Sequence, residues 1–254
     1  MSINIKVQAA LRQAENYPLP DLQIKALGHF GAFQSNAVIA EERWTSLHAQ
    51  IILIYLVLNG AATRDELIEL VWADEAVDKT SVRLRTTLKL LRQTLRPRWK
   101  INAEYICFQN GRYRIAPGVS VASDVQQFRQ ALAQARQTSG LASYTLCLQA
   151  LSSYGGDFLA GCFNEWVLEQ REQLHNDYLW AHERCASVCL AEARYPEAEH
   201  HARQSIRSDP LREQAWQILI QSLNHMGRMP EAIEAQQQLA EHLHTLLGIA
   251  PTWA

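Results

Sequence analysis

The stretch from Ser81 to Leu95, which reads SVRLRTTLKLLRQTL, determines how the first half of this chain is interpreted. Its leucines recur every three or four residues between Leu84 and Leu95, which places them on one side of a helix. The opposite side carries cationic, amide, hydroxyl and methyl groups, the types that contact base edges in the major groove of DNA. These candidate DNA-binding residues are Val82, Arg85, Thr86, Lys89, Gln93 and Arg96, flanked by Arg83 and Arg92. The stretch predicts a recognition helix that begins near Asp78 and ends before Pro97.

Two further helices are predicted upstream. The first has a cap at Thr45 or Ser46, a stop at Asn59-Gly60 and an apolar stripe at helical spacing. That stripe consists of Trp44, Leu47, Ile51, Ile54, Tyr55 and Leu58. The second helix starts at Thr63, because Thr63 and Glu66 form the pattern of a capping box. A helix, a short turn with glycine and a capped helix are typical of the helix-turn-helix motif.

Strands are predicted on both sides of these helices. Residues 22–39 alternate in part between apolar and polar, which predicts a small antiparallel sheet. Residues 100–115 predict two strands joined at Asn110-Gly111, the strongest short hairpin signal. Arg112 follows at the hairpin tip and is a further candidate DNA contact. Three helices followed by a basic hairpin predict a winged helix.

The charge of the chain is distributed unevenly. The 254 residues carry a net charge of only −2. Residues 79–114, however, hold ten basic residues and one acidic residue, Glu104, while both flanking parts of the chain are net acidic. A cationic segment of this kind is typical of a surface that binds nucleic acid. The alternative interpretation is a solvated basic face.

The chain after residue 123 predicts helices throughout, starting with one capped by Asp124. Residues 193–198 match residues 227–232 at an offset of 34 residues, which is the tetratricopeptide period. In such repeats each helical hairpin packs on the next, because it cannot bury its apolar face alone. The acidic positions Glu165, Glu169 and Glu172 share one side of a helix and are interpreted as a solvated face.

Several segments resemble one known family in the same order. They are Leu67–Trp72, Leu88–Leu95, Asp124–Phe128, Tyr154–Leu159, Glu165-Trp166, Glu169–Arg171, Asp209–Glu213 and Leu246–Pro251. Together they resemble the SARP-like bacterial activators, which join an OmpR-type winged helix to a bacterial transcriptional activator domain, or BTAD. One departure lies in the wing, where the family reads Gly-Tyr-Arg and this chain has an inserted arginine, Arg112, after Gly111.

The pattern and the resemblance together predict a mainly α fold with a small β component. A winged helix-turn-helix domain is followed by an all-α tetratricopeptide-like helical repeat domain. The expected boundaries are an N-terminal extension at 1–20, the OmpR-type winged-helix domain at 21–116 and the BTAD at 117–254. The expected partner is double-stranded DNA. The resemblance implies RNA polymerase as a second partner, and a homodimer is left open.

Other classes of protein are disfavoured. No phosphate-binding, dinucleotide-binding, esterase or zinc-protease motif occurs, so we expect no catalytic residues and no cofactor. His182, Cys185 and Cys189 have the spacing of metal ligands but lack a fourth, which favours packing and no metal. The longest apolar run, 51–58, is too short to span a membrane, and five cysteines without framework spacing indicate a reducing cytoplasm.

Two functions remain open from the sequence. The first is a sequence-specific DNA-binding transcriptional regulator, by resemblance an activator, whose repeats carry dimer or partner contacts. The alternative is a protein-interaction scaffold, or a module of a larger signalling ATPase-type regulator, in which the winged helix does not read DNA. The interleaved cationic, hydroxyl and amide groups on the third helix favour the first.

Overall fold

The computed structural model describes residues 19–73, 75, 77–97 and 104–248. Three parts of the sequence described above lie outside these residues. They are most of the predicted N-terminal extension, the cationic residues Arg98 and Lys100, and the end of the family-like segment Leu246–Pro251. The described chain forms nine α-helices and seven short strands. A small β-containing N-terminal region precedes an all-α region, so the predicted fold class is confirmed.

The chain divides into two compact units that are interleaved in sequence. Among the described residues, those up to 126 and those from 156 to 170 form the first unit, and those from 127 to 155 and from 171 onward form the second. The boundary expected at 116/117 therefore differs from this division in two places. Residues 117–126 belong to the first unit, and so does a short segment, 156–170, that the sequence assigned to the repeat domain.

A four-stranded sheet lies in the first unit in the order β3-β2-β1-β7. Its strands are β1 Leu22–Lys25, β2 Gly31–Gln34, β3 Ala37–Val38 and β7 Val121–Ser123. The first three are antiparallel neighbours, as the sequence predicts, and β7 adds a parallel strand beside β1. Leu22 and Ile24 alternate inward along β1 and are buried.

Asp124, directly after β7, connects this sheet to the next helix. Its carboxylate accepts hydrogen bonds from the backbone N–H groups of Ala26 and Leu27, both at 2.9 Å, and from that of Val125. Burial raises the pKa of Asp124, and these backbone hydrogen bonds oppose that rise. Asp124, predicted as the helix cap, is instead the first residue of the helix and fixes the end of β1, while Ser123 caps the helix by accepting the N–H of Gln126 at 3.1 Å.

The helix-turn-helix consists of α1 Leu47–Asn59 and α2 Arg64–Trp72, with strand β4 Ala61–Thr63 between them. Ser46 caps α1 by accepting the N–H of Ala49, and α1 ends at Gly60, whose φ is 81°. Thr63 and Glu66 form the predicted capping box. The predicted stripe on α1 was wrong in detail: the helix is buried on most sides, from Ala49 to Val57, while Leu47 is exposed.

The third helix, α3, runs Val77–Leu95 and is followed by the hairpin β5 Ile106–Gln109 and β6 Arg112–Ile115. The leucines at 84, 88, 91 and 95 are all buried, as predicted. Asn110 and Gly111 form a two-residue turn with φ values of 51° and 77°, which suits a tight hairpin. Strand β6 also pairs with β4, so the wing is a three-stranded sheet, β4-β6-β5.

Segment 156–170 packs within the first unit through backbone and aromatic contacts. The N–H of Leu159 donates to the carbonyl of Ala26 at 2.9 Å, and the ring of Trp166 lies edge-on to Tyr55 at 5.3 Å. A Cβ on Gly156 would lie 3.3 Å from the Cα of Gly28, and the φ of Gly156 is 143°, so a larger residue would be strained at this approach. The sequence alone assigns this segment to the repeat domain, because the residues that it contacts in the first unit lie about a hundred positions earlier in the chain.

The second unit is built from helices. They are α4 Asp124–Arg136, α5 Gly140–Ser153, α6 Glu165–Ala191, α7 Tyr195–Ser208, α8 Glu213–His225 and α9 Met229–Leu247, the first and third of which begin in the first unit. The predicted 34-residue repeat is visible where α7 and α9 begin: Arg194 and Arg228 precede them, and Ala198 and Ala232 are buried at equivalent positions. Close helix packing needs these small side chains.

The cluster of histidine and cysteine in this unit is buried in the core. His182 Nδ1 lies 3.1 Å from His201 Nδ1, and Cys185 and Cys189 are fully buried. Among the residues that the structure describes, no three His, Cys, Asp or Glu side chains are arranged to hold a metal ion.

Candidate nucleic-acid interface

The outer side of α3 is exposed from Val82 to Gln93. Val82, Arg85, Thr86, Lys89 and Gln93 are all exposed, and they lie opposite the buried leucines. Val82 is 62% exposed although it is aliphatic, which leaves a methyl-bearing surface on this side of the helix. Five of the six residues that the sequence placed on the side opposite the leucines therefore share one open surface, hereafter the outer face, and Arg96 does not belong to it.

Two cations of the outer face have no acidic neighbour. Within the described part of the chain, neither Arg85 nor Lys89 forms an ion pair. Thr86 donates its hydroxyl to the carbonyl of Val82 at 3.1 Å, which fixes its rotamer.

Three other candidate cations contact groups of the same unit, and Arg92 lies 3.8 Å from Glu104. Arg83 forms an ion pair with Glu75, and Arg112 lies 3.4 Å from Glu66. Arg92 Nε donates to the carbonyl of Ile106 at 2.9 Å, so it holds the wing against α3. These cations surround the outer face, but part of their charge is already compensated.

Arg96 lies just beyond the last residue of α3 and is partly buried. Its backbone carbonyl, together with that of Gln93, accepts hydrogen bonds from Arg43. Arg43 also accepts from Thr94, through its own carbonyl at 3.0 Å. The end of α3 is thereby tied to the turn before α1, which sets the direction of the outer face.

Two candidate residues were missed by the sequence reasoning. Arg114 is exposed on the same side of β6 as Arg112, and the two-residue period of a strand could have indicated it. His48 lines a hollow of about 250 Å³ beside Val82 and Thr86, with its ring edge-on to Trp72. Burial, and secondarily Arg83, lower the pKa of His48.

No described helix combines the length and apolar composition needed to cross a membrane.

The candidate site is a cationic face on α3 with a basic hairpin beside it. Arginine and glutamine side chains on such a face hydrogen-bond base edges, and cations at its margins contact phosphates.

Comparison with known proteins gives three similarities. Residues 123–254 match the family described as the bacterial transcriptional activator domain. The chain is 26% identical over 194 residues to Regulatory protein AfsR of Streptomyces coelicolor, a stretch that is 75% of this chain and 19% of AfsR. It thus spans about a fifth of that relative's length.

The third similarity is structural. A solved structure of Mycobacterium tuberculosis EmbR in complex with a low-affinity phosphopeptide has a TM-score of 0.74 and 19% identity. The match covers 91% of this chain and 62% of the EmbR chain. At this identity the likeness shows the fold.

Proposed function

The chain belongs to the family of SARP-like bacterial transcriptional activators, and we propose that it is a sequence-specific DNA-binding activator of transcription. In this proposal α3 lies in the major groove and the wing contacts the flanking phosphates. The helical repeats carry contacts with RNA polymerase or with a second copy of the chain. The protein acts in the cytoplasm, where its DNA is.

The observation that carries the proposal is the outer face of α3. Arg85 and Lys89 lie exposed there without an ion-pair partner among the described residues, in a chain that is otherwise slightly acidic. An unpaired surface cation contributes little to folding, so folding does not explain why these cations are concentrated on one face. Binding to a polyanion does explain it, because each phosphate contact releases a counterion.

The wing supports the same proposal. Arg112 and Arg114 alternate outward along β6, next to the tight turn at Asn110-Gly111. A rigid two-residue turn brings both cations to a fixed position beside α3. Contacts of this kind position a protein on duplex DNA without reading its sequence.

The test is selection of bound duplexes from a random pool with the full chain, followed by affinity measurements at two salt concentrations. We expect one enriched sequence motif and a fall in log K with log salt of about 0.9 for each phosphate contacted. A matched pair of variants separates the face from general charge. Arg85→Ala removes a cation of the outer face, and Arg207→Ala removes an exposed arginine of the second unit.

Arg85→Ala is expected to weaken binding to the enriched motif, whereas Arg207→Ala leaves it unchanged. Micromolar or weaker affinity at low salt, without a salt slope on any duplex, would refute the proposal. Equal loss from both variants would show that total charge, rather than the outer face, governs binding.

A further inference from the structure

A groove with an acidic rim lies in the first unit. Its charge is opposite to that of the cationic outer face of α3. It has a volume of about 660 Å³, and its walls come from α1, α2 and segment 156–170. Tyr55, Leu70 and Trp166 provide apolar surface inside it. We call it the acidic groove because five glutamates line it: Glu66, Glu69, Glu75, Glu165 and Glu169.

The groove is firmly built. Asn164 Nδ2 donates to the carbonyl of Leu70 at 2.7 Å, and Asn164 Oδ1 accepts the N–H of Val167 at 3.3 Å. These bonds join the start of α6 to the end of α2. The ring of Trp166 is held edge-on between Tyr55 and Phe158. The side chains of the groove are thus presented on rigid elements, as a binding surface requires.

The negative charge of the groove is only partly compensated within the first unit. Glu66 and Glu75 contact Arg112 and Arg83, as described above. Glu69, Glu165 and Glu169 form no ion pair with any described residue, and no Lys or Arg is among the described residues that line the groove. Like charges in one place oppose each other, and a bound cationic group relieves that repulsion.

An exposed aromatic ring stands at the edge of the groove. Phe163 is 81% exposed, more than any other large apolar side chain described. Isolated exposed apolar residues are ordinary, but this ring adjoins the apolar interior of a charged groove. Because the glutamates and Phe163 are open to solvent, a small molecule would not be enclosed here as in a typical ligand pocket.

We propose that the acidic groove binds a basic amphipathic helical segment of another protein. Apolar side chains of that segment pack on Phe163 and Trp166, and its lysines or arginines pair with Glu69, Glu165 and Glu169. This is the arrangement by which a helix lies in a groove, with an apolar row for affinity and charges for orientation. The inference stands on the groove alone and does not depend on DNA binding.

The experiment uses the full chain and a fluorescein-labelled helical peptide of 18 residues made of leucine and lysine with one tryptophan. Its control is a peptide of identical composition with the order scrambled, so that charge is kept and the amphipathic face is lost. We expect the amphipathic peptide to bind at least about tenfold more tightly than the scrambled one. Fluorescence anisotropy measures both.

Two matched triple variants locate the binding site. Glu69→Gln/Glu165→Gln/Glu169→Gln removes three charges from the groove, and Glu192→Gln/Glu234→Gln/Glu241→Gln removes three exposed charges from the second unit. The first is expected to weaken peptide binding about tenfold, and the second less than about twofold. Phe163→Ala, which changes no charge, is expected to weaken binding by several-fold. Circular dichroism melting confirms that each variant folds.

Three results would overturn the proposal. One is equal weakening by both triple variants, which would make the binding non-specific. Another is equal affinity for the two peptides, or no binding of either. The third is a wild-type oligomer in sedimentation that the groove triple variant converts to monomer, because the occupant would then be a second copy of this chain.

Discussion

Three arginines of the second unit differ from Arg85 of the first unit in what they contact. In the second unit, Arg194, Arg212 and Arg228 each pair with a glutamate, and Arg212 reaches the nearly buried carboxylate of Glu183 at 2.6 Å. In the first unit, Arg85 has no such partner among the described residues. The three arginines of the second unit therefore serve folding, whereas Arg85 of the first unit is available to a partner.

This contrast shows why net charge is a poor guide to function. The whole chain is slightly acidic, yet one helix face keeps its cations apart from every described carboxylate. Whether an arginine is matched or unmatched within its own unit is the more informative property. Four predictions follow from the differences between the two units, from the largest expected effect to the smallest, and the second and third test the arginines directly.

Truncating the chain tests whether the first unit needs residues beyond 116 in order to fold. A fragment of residues 1–116 lacks β7, Asp124 and segment 156–170, all of which complete that unit. We expect it to show no cooperative thermal transition by circular dichroism, because buried apolar surface and sheet pairing are lost together. Residues 1–170, with 127–155 replaced by a flexible linker, are expected to regain the transition. A sharp transition in the shorter fragment would show that the sequence boundary is the physical one.

Arg212→Ala tests the matched arginines. It leaves Glu183, whose side chain is only 6% exposed, without its ion-pair partner. The expected loss is about 3–5 kcal/mol in the free energy of unfolding, because a buried charge without a partner is costly. The comparison variant is Arg203→Ala, from the more exposed pair with Glu199, with an expected loss below about 1 kcal/mol. Urea denaturation measures both, and equal losses would contradict the distinction.

Arg85→Ala tests the unmatched arginine. On the selected duplex we expect a cost of about 1–3 kcal/mol in binding, and much less on random DNA. Arg112→Ala is expected to weaken binding to both alike and to reduce the salt slope by about one. Affinity ratios and melting temperatures are measured together. An unchanged ratio with a lowered melting temperature would mean that Arg85 serves folding after all.

The two units also contain buried titratable groups whose effects on stability respond to acid in opposite directions. Burial, and secondarily His201, lower the pKa of His182 to about 3, so the native state binds fewer protons than the unfolded one. Stability is then lost as the pH falls below about 6.5, by about 2 kcal/mol for His182 between pH 7 and pH 5. His182→Asn is expected to lack this part of the loss in denaturation at the two pH values, while the part that comes from His201, whose pKa burial lowers to about 4, remains. Asp124 in the first unit has a raised pKa, and its contribution has the opposite sign.

Local features of the fold were predictable from the sequence. The capping box of Thr63 and Glu66, the Asn110-Gly111 turn and the buried leucines of α3 each depend on residues within a few positions of one another. The 34-residue repeat was visible for the same reason, since each copy carries its own helix start. Five of the predicted site residues lie on one exposed face, as the helical period requires.

Features that depend on distant partners were not predictable. Strand β7 pairs with β1, and Leu27 bridges to Phe158, across about a hundred residues or more. The pairing of Arg83 with Glu75 and the role of Arg92 at the wing also depend on how elements meet in space. Amphipathic spacing predicts which side of a helix is exposed to solvent, but it does not predict which charged side chains form ion pairs.

The interleaving of the units has a consequence for synthesis on the ribosome. The first unit is incomplete when residue 126 emerges and is completed only by residue 170, with part of the second unit made in between. At about 5–20 residues per second, that interval lasts roughly 2–9 seconds. During it the apolar side chains that will meet Trp166 and Phe158 remain uncovered. The nascent chain therefore exposes a hydrophobic surface to the translation machinery and to chaperones before the N-terminal unit can close.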